Sequence, residues 1–82
     1  METTYQKMLE SYEQAVNAAV CRKEYLKGEL KAAAETRYES AEAGKRYHLL
    51  EERIDLLTEE CSELKAMLRC ITPYARQEVV RT

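Results

Sequence analysis

The side chains that could act as nucleophiles, bases or metal ligands are few and poorly spaced for these tasks. The chain has three cysteines, Cys21, Cys61 and Cys70, and a single histidine, His48. A catalytic thiol needs a base or another group that stabilises its thiolate, and His48 is the only imidazole available. The separation of Cys61 from Cys70 places them on opposite sides of a helix, without the paired spacing of a zinc site. We therefore expect reduced, mostly structural thiols.

Carboxylates are abundant, as in LLEERIDLLTEE over residues 49–60. A di-metal site in a helical bundle requires a Glu three residues before a histidine, whereas Lys45 holds that position before His48. Gly28 and Gly44 are too far apart to form a phosphate-binding loop. The acidic residues thus indicate a solvated helix face. The sequence predicts no catalytic, cofactor-binding or metal-binding residues, and a protein that is not an enzyme.

The composition is typical of long helices and restricts the partners. Charged residues make up 34% of the chain, with two Gly, one Pro and no Phe or Trp. The net charge is −2 and the basic residues are scattered among glutamates, which argues against nucleic-acid binding. The longest nearly apolar run, AVNAAVC at residues 15–21, is shorter than the ~20 residues that cross a bilayer, and METTYQKMLE lacks the features of a secretory signal. We expect a cytoplasmic protein that binds neither a membrane nor a small-molecule substrate.

Apolar residues recur at alternating steps of three and four in two separate stripes, the spacing of one face of a helix. The first stripe, in which Lys23 is the one polar member, comprises Tyr5, Leu9, Tyr12, Val16, Ala19, Lys23, Leu26, Leu30 and Ala33. The second stripe comprises Tyr47, Leu50, Ile54, Leu57, Cys61, Leu64, Leu68 and Ile71. Because the second stripe does not continue the register of the first, the helix must either end or shift its register between residues 34 and 46.

We predict an all-α fold in which two helices form an antiparallel hairpin within a single domain, residues 1–82. The helices are expected at about residues 4–34 and 45–71, with a turn region at about 35–44 and a tail at 72–82. The alternative is one continuous helix of about 70 residues with a register shift inside a coiled coil, because KAAAETRYESAEA has high helix propensity.

Local signals set these predicted boundaries. Thr3 with Gln6, and Thr36 with Glu39, have the spacing of a capping box, in which a hydroxyl and a longer polar side chain satisfy free backbone amides at a helix start. Gly44 is able to end a helix. The residue before a proline is disfavoured in a helix, so the second helix is expected to stop near Ile71, ahead of Thr72 and Pro73.

Flanking apolar residues make each stripe wider than a two-helix contact requires. They are Met8, Ala15, Ala18, Tyr25 and Ala32 beside the first stripe, and Leu49 and Leu56 beside the second. A chain of 82 residues also has difficulty burying enough apolar surface alone. We therefore expect a homodimer that forms a four-helix bundle. Its predicted interface includes Tyr25, Leu49, Leu56, Leu57 and Leu64, and Tyr38 and Tyr74 are further tyrosines free to contact a partner.

The segment ERIDLLTEECSEL at residues 52–64 follows a first helix rich in Ala, Lys and Glu. This pattern resembles small uncharacterised two-helix proteins of bacterial mobile elements or phages, over about residues 20–71. The resemblance implies a bacterial accessory protein and no known activity. We expect a coiled-coil interaction module, an adaptor or scaffold that self-associates through its apolar stripes. The alternative is a small phage- or mobile-element-encoded inhibitor or regulator that binds and occludes a larger host protein.

Overall fold

The computed structural model describes residues 4–81, with side chains up to residue 77, as two antiparallel helices. Helix α1 spans Thr4–Thr36 and helix α2 spans Ala41–Arg81. The pair measures 62 × 17 × 13 Å between Cα atoms along its principal axes. The predicted all-α hairpin is confirmed, and residues 4–81 contain no strand. The single continuous helix is wrong, because the chain reverses direction between α1 and α2.

The core is one layer of side chains where the two stripes meet. Its buried members, each at most 9% exposed, are Val16, Ala19, Leu26, Leu50, Cys61, Ile71 and Ala75. The three-four spacing places these residues on one side of each helix, so that burying them holds the helices together. No side chain in the described part of the chain is completely buried. The hairpin thus has a thin core with water on both sides.

The turn is shorter than predicted and depends on Ser40. The Ser40 hydroxyl accepts a hydrogen bond from the backbone N–H of Ala43 at 3.1 Å, which makes Ser40 the N-cap of α2. Glu42 adds a negative charge in the first turn of the helix, near the positive end of the helix dipole. The capping box assigned to Thr36 and Glu39 is wrong, because Thr36 is the last residue of α1. Thr3, of the other predicted box, lies outside the described residues.

Gly44 lies in the first turn of α2 and does not end a helix as predicted. Its backbone N–H donates to the carbonyl oxygen of Ser40 at 3.1 Å. A Cβ atom at this position would lie 3.3 Å from the carbonyl oxygen of Arg37, closer than an ordinary contact. Gly44 therefore allows the start of α2 to pack closely against the chain leaving α1.

The second helix continues through Pro73, where the sequence predicted its end. Proline has no N–H, so the carbonyl of Arg69 loses its usual helical hydrogen bond. One turn of packing offsets this cost: Ala75 is 3% exposed, and the rings of Tyr74 and Tyr5 stack with centroids 5.4 Å apart. The predicted tail is thus helical through Arg81, because burial of Ala75 extends the second stripe by one further step.

Replacing Leu50 by Ala should destabilise the hairpin by about 2–5 kcal/mol, because Leu50 is 6% exposed and its removal leaves a cavity in a single-layer core. Leu57 is only half-buried, so the same change there should cost less. Thermal melts of Leu50→Ala and Leu57→Ala test this order. Glu52→Ala, on the outer surface of the same helix, is the control and should stay within about 0.5 kcal/mol.

Replacing Pro73 by Ala should stabilise the chain by about 1–3 kcal/mol, because the exposed proline lies inside a helix and Ala restores the missing N–H donor. Thermal unfolding, with hydrogen exchange of the amides around residue 73, measures the effect. Arg76→Ala, one turn later and also exposed, serves as the control and should change little. A Pro73→Ala chain no more stable than wild type would mean that the helix does not continue past this point.

Candidate protein-interaction face

The hairpin has two long faces, and most of its exposed apolar side chains lie on one of them. On α1 this face carries Met8 and Tyr25, which are 38% and 67% exposed. On α2 it carries Leu49 and Leu56, which are 60% and 64% exposed, together with Met67 and Tyr74, which are 43% and 54% exposed. We call this surface the exposed face. Its remaining small residues are Ala15, Ala18 and Ala32 on α1.

Two recesses along the helices show that the α1 and α2 members of the exposed face lie on the same side. A recess of about 180 Å³ is lined by Arg22, Leu26, Arg53, Leu56, Leu57 and Glu60. A second, of about 600 Å³ near the turn, is lined by Glu29, Ala32, Ala33, Thr36, Ser40, Glu42, Ala43 and Arg46. Each recess joins residues of both helices. The stack of Tyr5 on Tyr74 continues the same surface at the far end.

The spacing of the exposed face explains how one helix can serve two contacts. Its members on α2, such as Leu49, Leu56 and Tyr74, keep the same alternating steps of three and four as the core stripe, displaced by about a quarter turn around the helix. Each helix therefore carries two parallel stripes. The first is used inside the hairpin and the second is left in water.

The opposite face is polar. Its apolar exceptions among the described residues are Val20, which is 37% exposed, and the half-buried Ala34. Local polar contacts lie on this side: the Lys27 ammonium pairs with Glu24 at 3.6 Å, and the His48 ring hydrogen bonds with Glu51 at 3.2 Å. Each pair joins residues three positions apart on one helix and is largely exposed, so each contributes little to stability. The two faces of the hairpin thus differ sharply in polarity.

The predicted interface residues separate into two groups. Tyr25, Leu49 and Leu56 lie on the exposed face with most of their side-chain surface in water, and their role in an interface stays a prediction. Leu57 and Leu64 instead are half-buried between the helices, where they belong to the hairpin core. Tyr38 lies in the turn and is 86% exposed. Tyr74, predicted to be free to contact a partner, also lies on this face. Sequence reasoning missed Met67, although the three-four spacing from Leu49 and Leu56 reaches it.

The pKa of the Tyr25 hydroxyl is raised by Glu29, one helical turn later, first through a hydrogen bond and then through the negative charge of the carboxylate. The phenol therefore stays neutral at physiological pH. A neutral tyrosine joins a large apolar ring to a polar hydroxyl, which suits a surface that alternates between water and a protein partner.

A separate cluster of aromatic and basic side chains surrounds the turn. The guanidinium carbon of Arg37 lies 4.7 Å from the ring centre of Tyr38 and 5.1 Å from that of Tyr47. Tyr38 raises the pKa of Arg37, chiefly by hydrogen bonding, so the cation between the rings is permanent. A cavity of about 640 Å³ opens beside it, lined by Arg37, Tyr38, Ser40, Ala41, Gly44, Tyr47 and His48. We infer that the contacts of Arg37 with the two tyrosine rings hold the turn against the start of α2.

The thiols and carboxylates do not converge on a metal or nucleophile site within the described residues. Cys21 and Cys70 are exposed, Cys61 is buried in the core, and all three are free. No group of three or more His, Cys, Asp or Glu side chains in residues 4–81 is arranged to hold a metal ion. In the same part of the chain, neither helix has a segment long and apolar enough to cross a membrane.

No family model matches the sequence, and the comparisons find no similar curated protein and no similar solved structure. The resemblance to small two-helix proteins of mobile elements or phages therefore stays a prediction. The chain folds as an all-α helical hairpin, and the exposed face is the feature of this hairpin that bears on its function.

Proposed function

We propose that the protein is a non-enzymatic interaction module that self-associates through the exposed face and acts as an adaptor or scaffold. The observation that carries this proposal is the concentration of large apolar side chains from both helices on one side of the hairpin. Exposed apolar side chains that cluster on one side, between charged residues, mark an interaction surface more often than apolar residues scattered singly over a protein.

The area of the exposed face suits a dimer. Side chains of this size have areas of roughly 150–250 Å². With the observed exposures, the six large apolar residues together present on the order of 600 Å². A standard protein interface buries about 800 Å² per partner, to which the alanines and charged residues of the same face would contribute. A second copy would therefore cover the face almost completely.

The thin core supports the same proposal. Small domains bury a low fraction of their surface, and oligomerisation is a common way to add the missing burial. Stacking two hairpins through their exposed faces would convert a single layer of side chains into the core of a four-helix bundle. The two polar faces would then point outward, where an adaptor contacts other proteins. The three free thiols fit a reducing compartment such as the cytoplasm.

Replacing both Leu49 and Leu56 by Glu should convert the dimer to a monomer, because the two leucines are well exposed in the hairpin and would be buried only between copies. Sedimentation equilibrium at tens of micromolar measures the mass, and thermal melts should lose their dependence on protein concentration. Val20→Glu is the matched control, since it places a charge at an exposed apolar residue of the opposite face.

The control should remain dimeric, and equal dissociation by Val20→Glu would show that the exposed face is not the contact. A monomeric wild-type chain with a concentration-independent melt would contradict self-association altogether. In that case the same apolar surface would favour the second candidate, a small inhibitor or regulator that binds a different, larger protein.

The native cysteines provide a second test without mutation. Cys70 lies on the edge of the exposed face beside Met67 and Tyr74, whereas Cys21 lies on the outer side of α1. Dimerisation should slow the alkylation of Cys70 several-fold as the protein concentration rises, while Cys21 reacts at an unchanged rate. Mass spectrometry of tryptic peptides after short labelling times reports both rates. Parallel slowing of both thiols, or of neither, would be inconsistent with burial of the exposed face.

A further inference from the structure

The exposed face carries charged residues in an order that distinguishes between possible dimers. Arg22 and Glu29 lie on α1 two turns apart, and Arg53 and Glu60 lie on α2 with the same separation. Because the helices are antiparallel and Tyr5 stacks on Tyr74, counting along both helices from this contact places Glu60 nearest in level to Arg22, and Arg53 nearest in level to Glu29. Each of these acidic residues thus lies close in level to a basic residue of the other helix.

Two hairpins can stack face to face in two symmetric ways. With both turns at the same end, α1 of one copy lies on α2 of the other. With the turns at opposite ends, each helix lies on its own counterpart. The two arrangements bury the same face and differ only in which side chains meet.

The charges favour the arrangement with both turns at the same end. There, Arg22 meets the partner's Glu60, and Glu29 meets the partner's Arg53, so that each charge faces an opposite charge. With the turns at opposite ends and the hairpins fully overlapped, Glu60, near the middle of the face, meets the partner's Glu60. Like charges in contact are unfavourable, so this contact disfavours the fully overlapped arrangement with the turns at opposite ends.

The sizes of the apolar side chains lead to the same arrangement. With the turns at the same end, Leu49 lies over Ala32 of the partner subunit and Met67 lies over Ala15 of the partner subunit, so large residues pack on small ones. Leu56 lies over the partner's Tyr25, the most exposed tyrosine of either helix.

From this complementarity we infer that the partner of the exposed face is a second copy stacked with both turns at the same end, so that every helix is antiparallel to its two neighbours. The inference rests on the proposed self-association and adds the orientation of the two chains. It also places both Arg37 and Tyr38 clusters together at one end of the particle, which would give the dimer one end unlike the other.

The distance between the two turns tests the orientation. A spin label at Glu39→Cys, in a full-length chain with Cys21→Ser and Cys70→Ser, occupies an exposed position of the turn. Cys61 is kept because it is buried, and the same chain without Glu39→Cys controls for its labelling. Helices in contact lie 8–10 Å apart, so turns at the same end should give a label separation of about 15–30 Å by electron double resonance. Turns at opposite ends should give a separation near the 62 Å length of the hairpin, which would overturn the inference.

Disulfide trapping provides an independent measurement. Ser11 on α1 and Cys70 on α2 lie at the same level of the exposed face and point away from each other across one hairpin. In the inferred dimer, Ser11→Cys faces Cys70 of the partner subunit, and mild oxidation of this variant in a Cys21→Ser background should yield a covalent dimer on a non-reducing gel. Asn17→Cys, exposed on the opposite face, is the matched control and should remain monomeric on the gel.

The outcomes separate the two proposals. A chain that sediments as a monomer would contradict the proposed function and with it the orientation. A chain that sediments as a dimer, yet shows a long label distance and no Ser11→Cys cross-link, would overturn the orientation and leave the proposed function in place. A short label distance together with the cross-link would support both.

Discussion

The antiparallel contact between the two stripes is the interaction on which the rest of the molecule depends. It is one side chain thick, so its register decides every other juxtaposition in the protein. Contacts at both ends hold that register: Tyr5 stacks on Tyr74 at one end, and Arg37 lies against Tyr47 at the other. A shift of α2 by one heptad would break both contacts and would also exchange the charges that share a level on the exposed face.

The stripes were readable from the sequence because a three-four spacing has only one simple interpretation in a helix. The loss of register after Ala33 indicated an interruption, which fits either a reversal of the chain or a continuous helix with a register shift. The position of the turn was not readable, because Thr36 with Glu39 and Gly44 gave two weak signals within a few residues, and neither lay at Ser40, which caps α2. Ser40, and not Thr36, is the N-cap of α2. Helix α1 extends far enough to include Thr36, so Ser40 is the residue next to the first free amides of α2.

The extension past Pro73 shows a second limit of local reasoning. A proline and its preceding residue are unfavourable in a helix, and this local preference predicts an end of α2 near Ile71. The preference is a local energy of a few kcal/mol, whereas burial of Ala75 and stacking of Tyr74 are contacts with residues far away in sequence. These contacts form because α1 begins far enough from the turn to lie alongside the part of α2 that follows Pro73. The residues around Pro73 alone do not reveal this. The same extension of α2 places Tyr74 on the exposed face.

Two stripes on each helix impose opposite requirements on the residues between them. The core stripe must be apolar enough to hold the two helices together. The exposed face must not be so apolar that it binds other proteins nonspecifically. In this chain the exposed face is interrupted by two basic and two acidic residues, one of each on each helix: Arg22, Glu29, Arg53 and Glu60. An apolar face without such charges would bind copies in either orientation with similar energy. Charges at fixed levels restrict it to partners that present the complementary order, and the chain's own second copy presents that order in one orientation.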